Sequence, residues 1–278
     1  MIETIPLTQG IELHPSGPLL LIAGPCVLQT RDLALEIAER VKGICSQYKM
    51  PYIFKASFDK ANRTSGVSHR GPGLEEGLRM LEDVRREVDV PVLTDVHERT
   101  QVSVVAEVVD MLQVPAFLCR QTDLLKACGA SGKPVNVKKG QFLAAEDMAF
   151  AVEKVKAGGD VTVTLTERGS TFGYRDLIVD LRSLVTMRRF APVIFDGTHA
   201  VQSPGGEGGR TGGNRKWVPM LVRGAVAVGV DGLFLEVHPD PESSPSDGPN
   251  MITPEILEQH LPLWLELDAA VRDAGVRE

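Results

Sequence analysis

Eight short apolar runs, each ending on polar or charged residues, constrain this chain more than any other feature. They begin at Leu19 (LLLIAG), Tyr52 (YIFKAS), Pro91 (PVLTDVH), Met111 (MLQVPA), Pro134 (PVNVKK), Val161 (VTVTLTE), Pro192 (PVIFDGTH) and Gly232 (GLFLEVH). Their length and β-branched content read as buried strands. Between the first two lies RDLALEIAERVKGICSQYK, apolar at helical spacing and preceded by Thr30 as an N-cap. LEEGLRMLEDVRREV, AEDMAFAVEKVK and RKWVPMLVRGAVAVG fill later gaps in the same way. Eight βα units in one run predict an α/β fold of the closed (β/α)8, or TIM, barrel type. The competing fold, a doubly wound open sheet, calls for a glycine-rich dinucleotide loop after its first strand, and AGPCVLQT is not such a loop. Turn signals at Gly10 and at Pro15 to Gly17 make residues 1–18 a short N-terminal β-hairpin ahead of the barrel. Residues 1–278 read as a single barrel domain.

The bulk properties remove several function classes. Hydrophobic residues make up 43% and charged residues 24% of the 278, which is globular composition. A net charge of −7 offers no overall basic field for nucleic acid, though it leaves room for a local basic pocket. No apolar run reaches the roughly 18 to 20 residues of a membrane span. The opening MIETIPLTQG lacks the basic and apolar segments of a signal peptide, so the cytoplasm is the expected compartment. Cys26, Cys45, Cys119 and Cys128 form no CxxC pair or disulfide framework. The last three read as buried structural thiols; Cys26 differs, because it sits where the first strand runs out into a loop.

In a (β/α)8 barrel, chemistry belongs at the C-terminal strand ends. Those ends carry Cys26, Lys55 and Ser57, Asp95 and His97, Gln113, Lys138, Glu167 and Arg168, Asp196 and His199, and Glu236 and His238. Three long loops, at 58–73, 200–214 and 239–250, lie on the same face and have the length of lids or binding loops. Two clusters follow. Lys55, Lys60, Arg63, Lys138 and Arg168 are cationic. Buried lysines and arginines need an anion, either the carboxylates of Asp95, Asp196 and Glu236 or a ligand bearing phosphate and carboxylate. Cys26, His199, Glu236 and Asp247 offer thiolate, imidazole and two carboxylates, a set suited to one divalent ion such as Mn, Fe, Co or Zn. Spacing alone leaves that metal open, since no local motif links the four.

The motifs IAGPC, FKASFDKANRTS, LTDVH, QVPAF, VNVKKGQF, FDGTHAVQ and EVHPDP closely resemble the 3-deoxy-D-manno-octulosonate 8-phosphate synthase family, from about Leu21 to Asn250. The resemblance implies a (β/α)8 barrel, generally a homotetramer. It also implies condensation of phosphoenolpyruvate with D-arabinose 5-phosphate and water, releasing phosphate, in lipopolysaccharide biosynthesis. Lys55, Lys60, Asp95, His97, Lys138 and His199 would then form the catalytic group. Lys55, Lys60 and Lys138 would surround phosphoenolpyruvate with Ser57 and Gln113 nearby, Arg168 on its phosphate, and backbone contact from Ala116 and Phe117. Asn62 would meet the sugar hydroxyls. Arg63 and Thr64 would take the sugar phosphate, reaching in from a neighbouring subunit; the family often has serine at the latter position, and the hydroxyl is kept. The family divides into metal-dependent and metal-independent classes by cysteine or asparagine after the Gly-Pro pair. Cys26, with Asp247 in SDGPN, matches the metal-dependent class, so Cys26, His199, Glu236 and Asp247 are the implied metal ligands.

Two other functions compete. The sister enzyme making 3-deoxy-D-arabino-heptulosonate 7-phosphate from erythrose 4-phosphate usually has Lys-Pro-Arg-Thr where this chain has KANRTS. A non-catalytic sugar-phosphate-binding barrel would have lost charges at the strand ends, and Lys55, Lys60, Lys138, Arg168 and His199 are all present.

Overall fold

The computed structural model describes residues 4–8, 10–62, 70–171, 176–207 and 210–277. Its centre is a closed barrel of eight parallel strands: β3 (Leu20–Gly24), β4 (Tyr52–Lys55), β5 (Val92–Asp95), β6 (Met111–Val114), β7 (Val135–Lys138), β8 (Val163–Glu167), β11 (Val193–Asp196) and β14 (Gly232–Glu236). They are neighbours in that order, and β14 closes on β3 from Gly232↔Leu20 to Glu236↔Gly24. The crossovers are α1 (Arg31–Gln47), α2 (Leu74–Glu87), α3 (Arg99–Val108), α4 (Thr122–Ala130), α5 (Met148–Lys156), α6 (Arg182–Arg188), α7 (Val218–Val228) and α8 (Pro254–Asp273). The predicted cap is in place: Thr30 accepts from the Leu33 amide. Among the described residues no helix is long and apolar enough to cross a membrane, and all four cysteines are buried and free.

Alternation along the strands sorts side chains into two layers, because successive residues point to opposite faces. Leu21, Phe54, Val92, Leu112, Val135, Leu165, Phe195 and Leu233 face outward and pack with helix residues such as Ile37, Leu81 and Trp264. Leu20, Ile22, Ile53, Leu93, Met111, Ile194 and Phe234 fill the lower barrel interior. The N-terminal hairpin, β1 (Ile5–Thr8) with β2 (Ile11–Leu13), joins that inner cluster through Leu7, Ile11 and Leu13 and so plugs the N-terminal mouth. Two residues above several of these inner apolar positions stand Lys55, Asp95, Gln113, Asp196 and Glu236, all buried. The barrel interior is therefore apolar below and polar above.

The loops carry more structure than their composition suggests. Within 200–214, β12 (Gln202–Glu207) pairs antiparallel with β13 (Arg210–Gly213). Pairing glycine-rich strands satisfies backbone groups that side chains cannot serve. Residues 239–250 contain two 3-10 turns, Pro241–Ser243 and Gly248–Asn250. A small hairpin, β9 (Ser170–Thr171) with β10 (Leu177–Ile178), follows β8 and has no counterpart in the sequence reading. The helix predicted from Ala145 starts as i→i+3 turns and becomes α-helical at Met148.

Candidate active site and metal centre

Close strand packing brings the first strand end to the second. At Gly24 a Cβ would lie 2.2 Å from the Lys55 carbonyl oxygen, so only glycine allows β3 this approach. Cys26 follows immediately, and its carbonyl accepts from Lys55 Nζ at 3.3 Å. Ligand atoms of Cys26, His199 and Glu236 all lie within 4.8 Å of one another. These residues come from the ends of β3, β11 and β14, which are adjacent in the barrel.

Each member of the trio is prepared differently. The Cys26 thiol is pushed up to about 12, first by burial and further by Asp247 and Glu236, although Lys60 pulls the other way. His199 Nδ1 lies 2.7 Å from Asp196 Oδ2, and its backbone amide donates to Asp196 Oδ1 at 2.8 Å. A carboxylate can only accept, so Nδ1 carries the proton and Nε2, 3.6 Å from Glu236 Oε1, presents its lone pair. Burial holds His199 below its ordinary value. Glu236 Oε1 accepts from Lys55 Nζ at 3.2 Å, whereas its Oε2 is buried with no hydrogen-bond partner. A buried carboxylate oxygen left unpaired is costly, and here it stands beside a thiol and an imidazole lone pair. Sulfur, nitrogen and oxygen donors with a histidine oriented by a carboxylate fit a divalent transition metal.

The fourth predicted ligand is adjacent but outside the trio. Asp247, on a left-handed backbone (φ 54°), has Oδ2 3.1 Å from Cys26 Sγ and 3.1 Å from Ser246 Oγ. Its Oδ1 accepts from Gln202 Nε2 at 2.6 Å. Burial opposes its charge, but His199, Lys60 and the bonds from Cys26 and Gln202 outweigh this and hold it below the usual carboxylate range.

Two of the cations, Lys55 and Lys138, pair with protein carboxylates. Lys55 Nζ reaches Glu236, Ser57 Oγ at 3.2 Å and Asp95 Oδ1 at 3.9 Å. Lys138 Nζ donates to Asp196 Oδ2 at 2.5 Å and lies 3.4 Å from the Phe234 ring centroid. Burial lowers Lys138 to about 8 despite Asp196. Half-buried Lys60 has the opposite balance: burial opposes its charge, but Cys26, Asp95, Glu236 and Asp247 raise it above the ordinary value. Arg168 is buried, and its guanidinium donates to Gln202 Oε1. Lys55, Lys60, Lys138 and Arg168 thus face Asp95, Asp196, Glu236 and Asp247 in near balance.

The remaining predicted residues take varied places. Ser57 Oγ donates to Asp95 Oδ1, and His97 Nε2 lies 2.9 Å from Asp95 Oδ2. Burial opposes charge on Asp95, but His97 and Lys55 hold it below its ordinary value. His97 Nδ1 is buried without a hydrogen-bond partner. Gln113 Oε1 accepts from Asn136 Nδ2 at 2.9 Å. Ala116 is buried and Phe117 exposed in the turn after β6, and Asn62 is exposed. Arg63 and Thr64 lie outside the described residues. Two charged strand ends are not part of the cluster. Glu167 pairs with Lys139 and accepts from Gly169 N and Ser183 Oγ. His238 meets Gln29 and the Asp240 amide.

Sequence reasoning offered Asp196 only as a strand-end countercharge and assigned no site role to Phe234, Asn136, Gln202 or Ser246. Strand alternation points to the first three, which share the inward face. Nothing local marks Gln202, whose partners Arg168 and Asp247 come from other loops, or the contact of Ser246 with Cys26.

Comparison with known proteins places nearly the whole chain among relatives. The profile of the DAHP synthetase I family matches residues 7–273. A protein of Acidithiobacillus ferrooxidans named 2-dehydro-3-deoxyphosphooctonate aldolase is 54% identical over 270 residues, covering 97% of this chain and 96% of its own. Proteins of the same name from Xanthomonas oryzae pv. oryzae (54%, 96% of this chain and 97% of theirs) and Bordetella petrii (53%, 97% of each) are similarly close.

Proposed function

This chain belongs to the DAHP synthetase I family, and we propose that it is the enzyme condensing phosphoenolpyruvate with D-arabinose 5-phosphate and water to 3-deoxy-D-manno-octulosonate 8-phosphate and phosphate. Similarity over nearly the full length to proteins named 2-dehydro-3-deoxyphosphooctonate aldolase supports this reading over the heptulosonate reaction. The observation that carries the chemistry is the trio of buried Cys26 and Glu236 with half-buried His199, beside Lys55 and Lys138 at the C-terminal end of the barrel.

Lys55, Lys60 and Lys138 surround phosphoenolpyruvate in this reading, with Arg168 on its phosphate and Ser57, Gln113, Ala116 and Phe117 alongside. Buried ammonium and guanidinium groups stabilise charge that develops as the enol carbon attacks the aldehyde, and fixing both substrates lowers the entropic barrier. Asp95 sets the tautomer of His97, so His97 Nδ1 is the nitrogen free to take a proton from the attacking water. Asn62 contacts the sugar hydroxyls, and Arg63 and Thr64 take the sugar phosphate in a neighbouring subunit of a homotetramer. Cys26, His199 and Glu236, with Asp247 behind Cys26, hold one divalent ion (Mn, Fe, Co or Zn), which when bound polarises an oxygen as a Lewis acid. The reaction is placed in the cytoplasm, in lipopolysaccharide precursor synthesis.

The test offers phosphoenolpyruvate with arabinose 5-phosphate or erythrose 4-phosphate, before and after chelation and with each metal restored. Phosphate release with the pentose phosphate, lost on stripping and recovered with metal, is expected. A higher kcat/KM with erythrose 4-phosphate would overturn the substrate assignment, and unchanged activity after complete stripping would overturn the metal assignment.

A further inference from the structure

Gln202 stands between the two clusters. Its Oε1 accepts from Arg168 Nη2, and its Nε2 donates to Asp247 Oδ1 at 2.6 Å. A guanidinium only donates and a carboxylate only accepts, so the orientation of this amide is dictated by its partners. All three residues are buried or nearly so, where opposite charges attract strongly. Arg168 feels the charge of Asp196 most and that of Asp247 next, so without the amide nothing would hold Asp247 from turning toward the guanidinium. Neither charged alternative serves both neighbours: a glutamate would repel Asp247, and a lysine or arginine would repel Arg168. A single neutral side chain with an acceptor at one end and a donor at the other satisfies both without letting them pair.

We infer that Gln202 is a positioning residue, an amide spacer that keeps Arg168 free for an anionic phosphate and Asp247 beside Cys26. The backbone supports this placement. Gln202 is the first residue of β12, paired with Gly213, and a Cβ at Gly213 would fall 1.6 Å from Asn250 Oδ1. Asn250 also donates to the Gly212 carbonyl at 3.4 Å. The hairpin that carries Gln202 is thereby fitted against the turn that carries Asp247. Rotation of Asp247 toward Arg168 would take Oδ2 from Cys26 and Ser246, so a lost spacer weakens the anion site and the thiol site together.

This inference rests on the proposed function for the identity of the anion. The test is Gln202→Met, close in size and without polar ends, compared with wild type and with the double variant Gln202→Met/Asp247→Asn. Phosphoenolpyruvate affinity is measured by calorimetry, Co2+ affinity by the cobalt–thiolate absorption band, and folding by Tm. The single variant is expected to bind both phosphoenolpyruvate and Co2+ about tenfold more weakly with Tm nearly unchanged. In the double variant the carboxylate that captures Arg168 is gone, so phosphoenolpyruvate affinity returns to within about threefold of wild type while Co2+ affinity stays low. Gln202→Met affinities within about twofold of wild type for both ligands, or no recovery in the double variant, would overturn the spacer role. The Co2+ measurement does not depend on the reaction. If wild-type protein failed to bind phosphoenolpyruvate, the functional reading would fall, while a Co2+ affinity unchanged by Gln202→Met would still sink the spacer.

Discussion

Metal binding at Cys26 should release one proton, and the structure supplies the arithmetic. Burial, with Asp247 and Glu236 close by, pushes the thiol up to about 12; at neutral pH Cys26 is therefore protonated, and a metal must displace that proton to gain a thiolate ligand. Losing it at about pH 7.5 costs about 6 kcal/mol, at 1.36 kcal/mol per pH unit. The other candidate ligands contribute little: burial keeps His199 below its ordinary value and so neutral, and Asp247 is held below the carboxylate range and so already ionised. Between about pH 7 and about pH 9, apparent metal affinity should rise about tenfold per unit, with about one proton released per ion. Calorimetric titration with Zn2+ or Co2+ in buffers of different ionisation enthalpy counts that proton directly. Cys26→Ala should bind more weakly and lose both the proton and the slope. Release of no proton by wild type, or equal release by Cys26→Ala, would show that Cys26 is not the ligand that loses a proton.

Three further outcomes are expected. Lys138 falls to about 8 from an ordinary 10.5, so between those values the unfolded chain holds a proton that the folded chain has lost, and this residue adds stability as pH rises. Denaturant melts should show wild type gaining about 3 kcal/mol relative to Lys138→Met across that window; the raised thiols pull the other way in both proteins and cancel in the difference. Lys139→Met leaves the buried carboxylate of Glu167 without its countercharge at 3.6 Å and should cost about 3 to 5 kcal/mol in urea unfolding. Adding Glu167→Gln should recover most of that loss, and a double variant no better than the single would reject the pair. Gly24→Ala drives a Cβ to within 2.2 Å of the Lys55 carbonyl oxygen; a cost of about 3 kcal/mol would lower Tm by about 5 °C, and an unchanged Tm would show that the strands can move apart.

The barrel and most of its polar layer are legible along the chain, because both follow from local periodicity. Strands announce themselves as short apolar runs, and a residue two places beyond an inward apolar one must also point inward. Ile53 is thus followed by Lys55, Leu93 by Asp95 and Phe234 by Glu236. The ring order of a closed barrel then makes Cys26, His199 and Glu236 neighbours before any distance is measured. The contacts that periodicity cannot supply lie between loops. The 200–214 segment reads as glycine-rich turn, yet it pairs into a hairpin that delivers Gln202 to Arg168 and Asp247. Asp247 stands against Cys26 while lying outside the compact trio. Glu167 and His238 occupy charged strand ends but take partners outside the cluster. Periodicity fixes which face of a strand a side chain leaves from; its partners depend on loops that meet residues from 34 positions away, as Gln202 meets Arg168, to 221, as Asp247 meets Cys26.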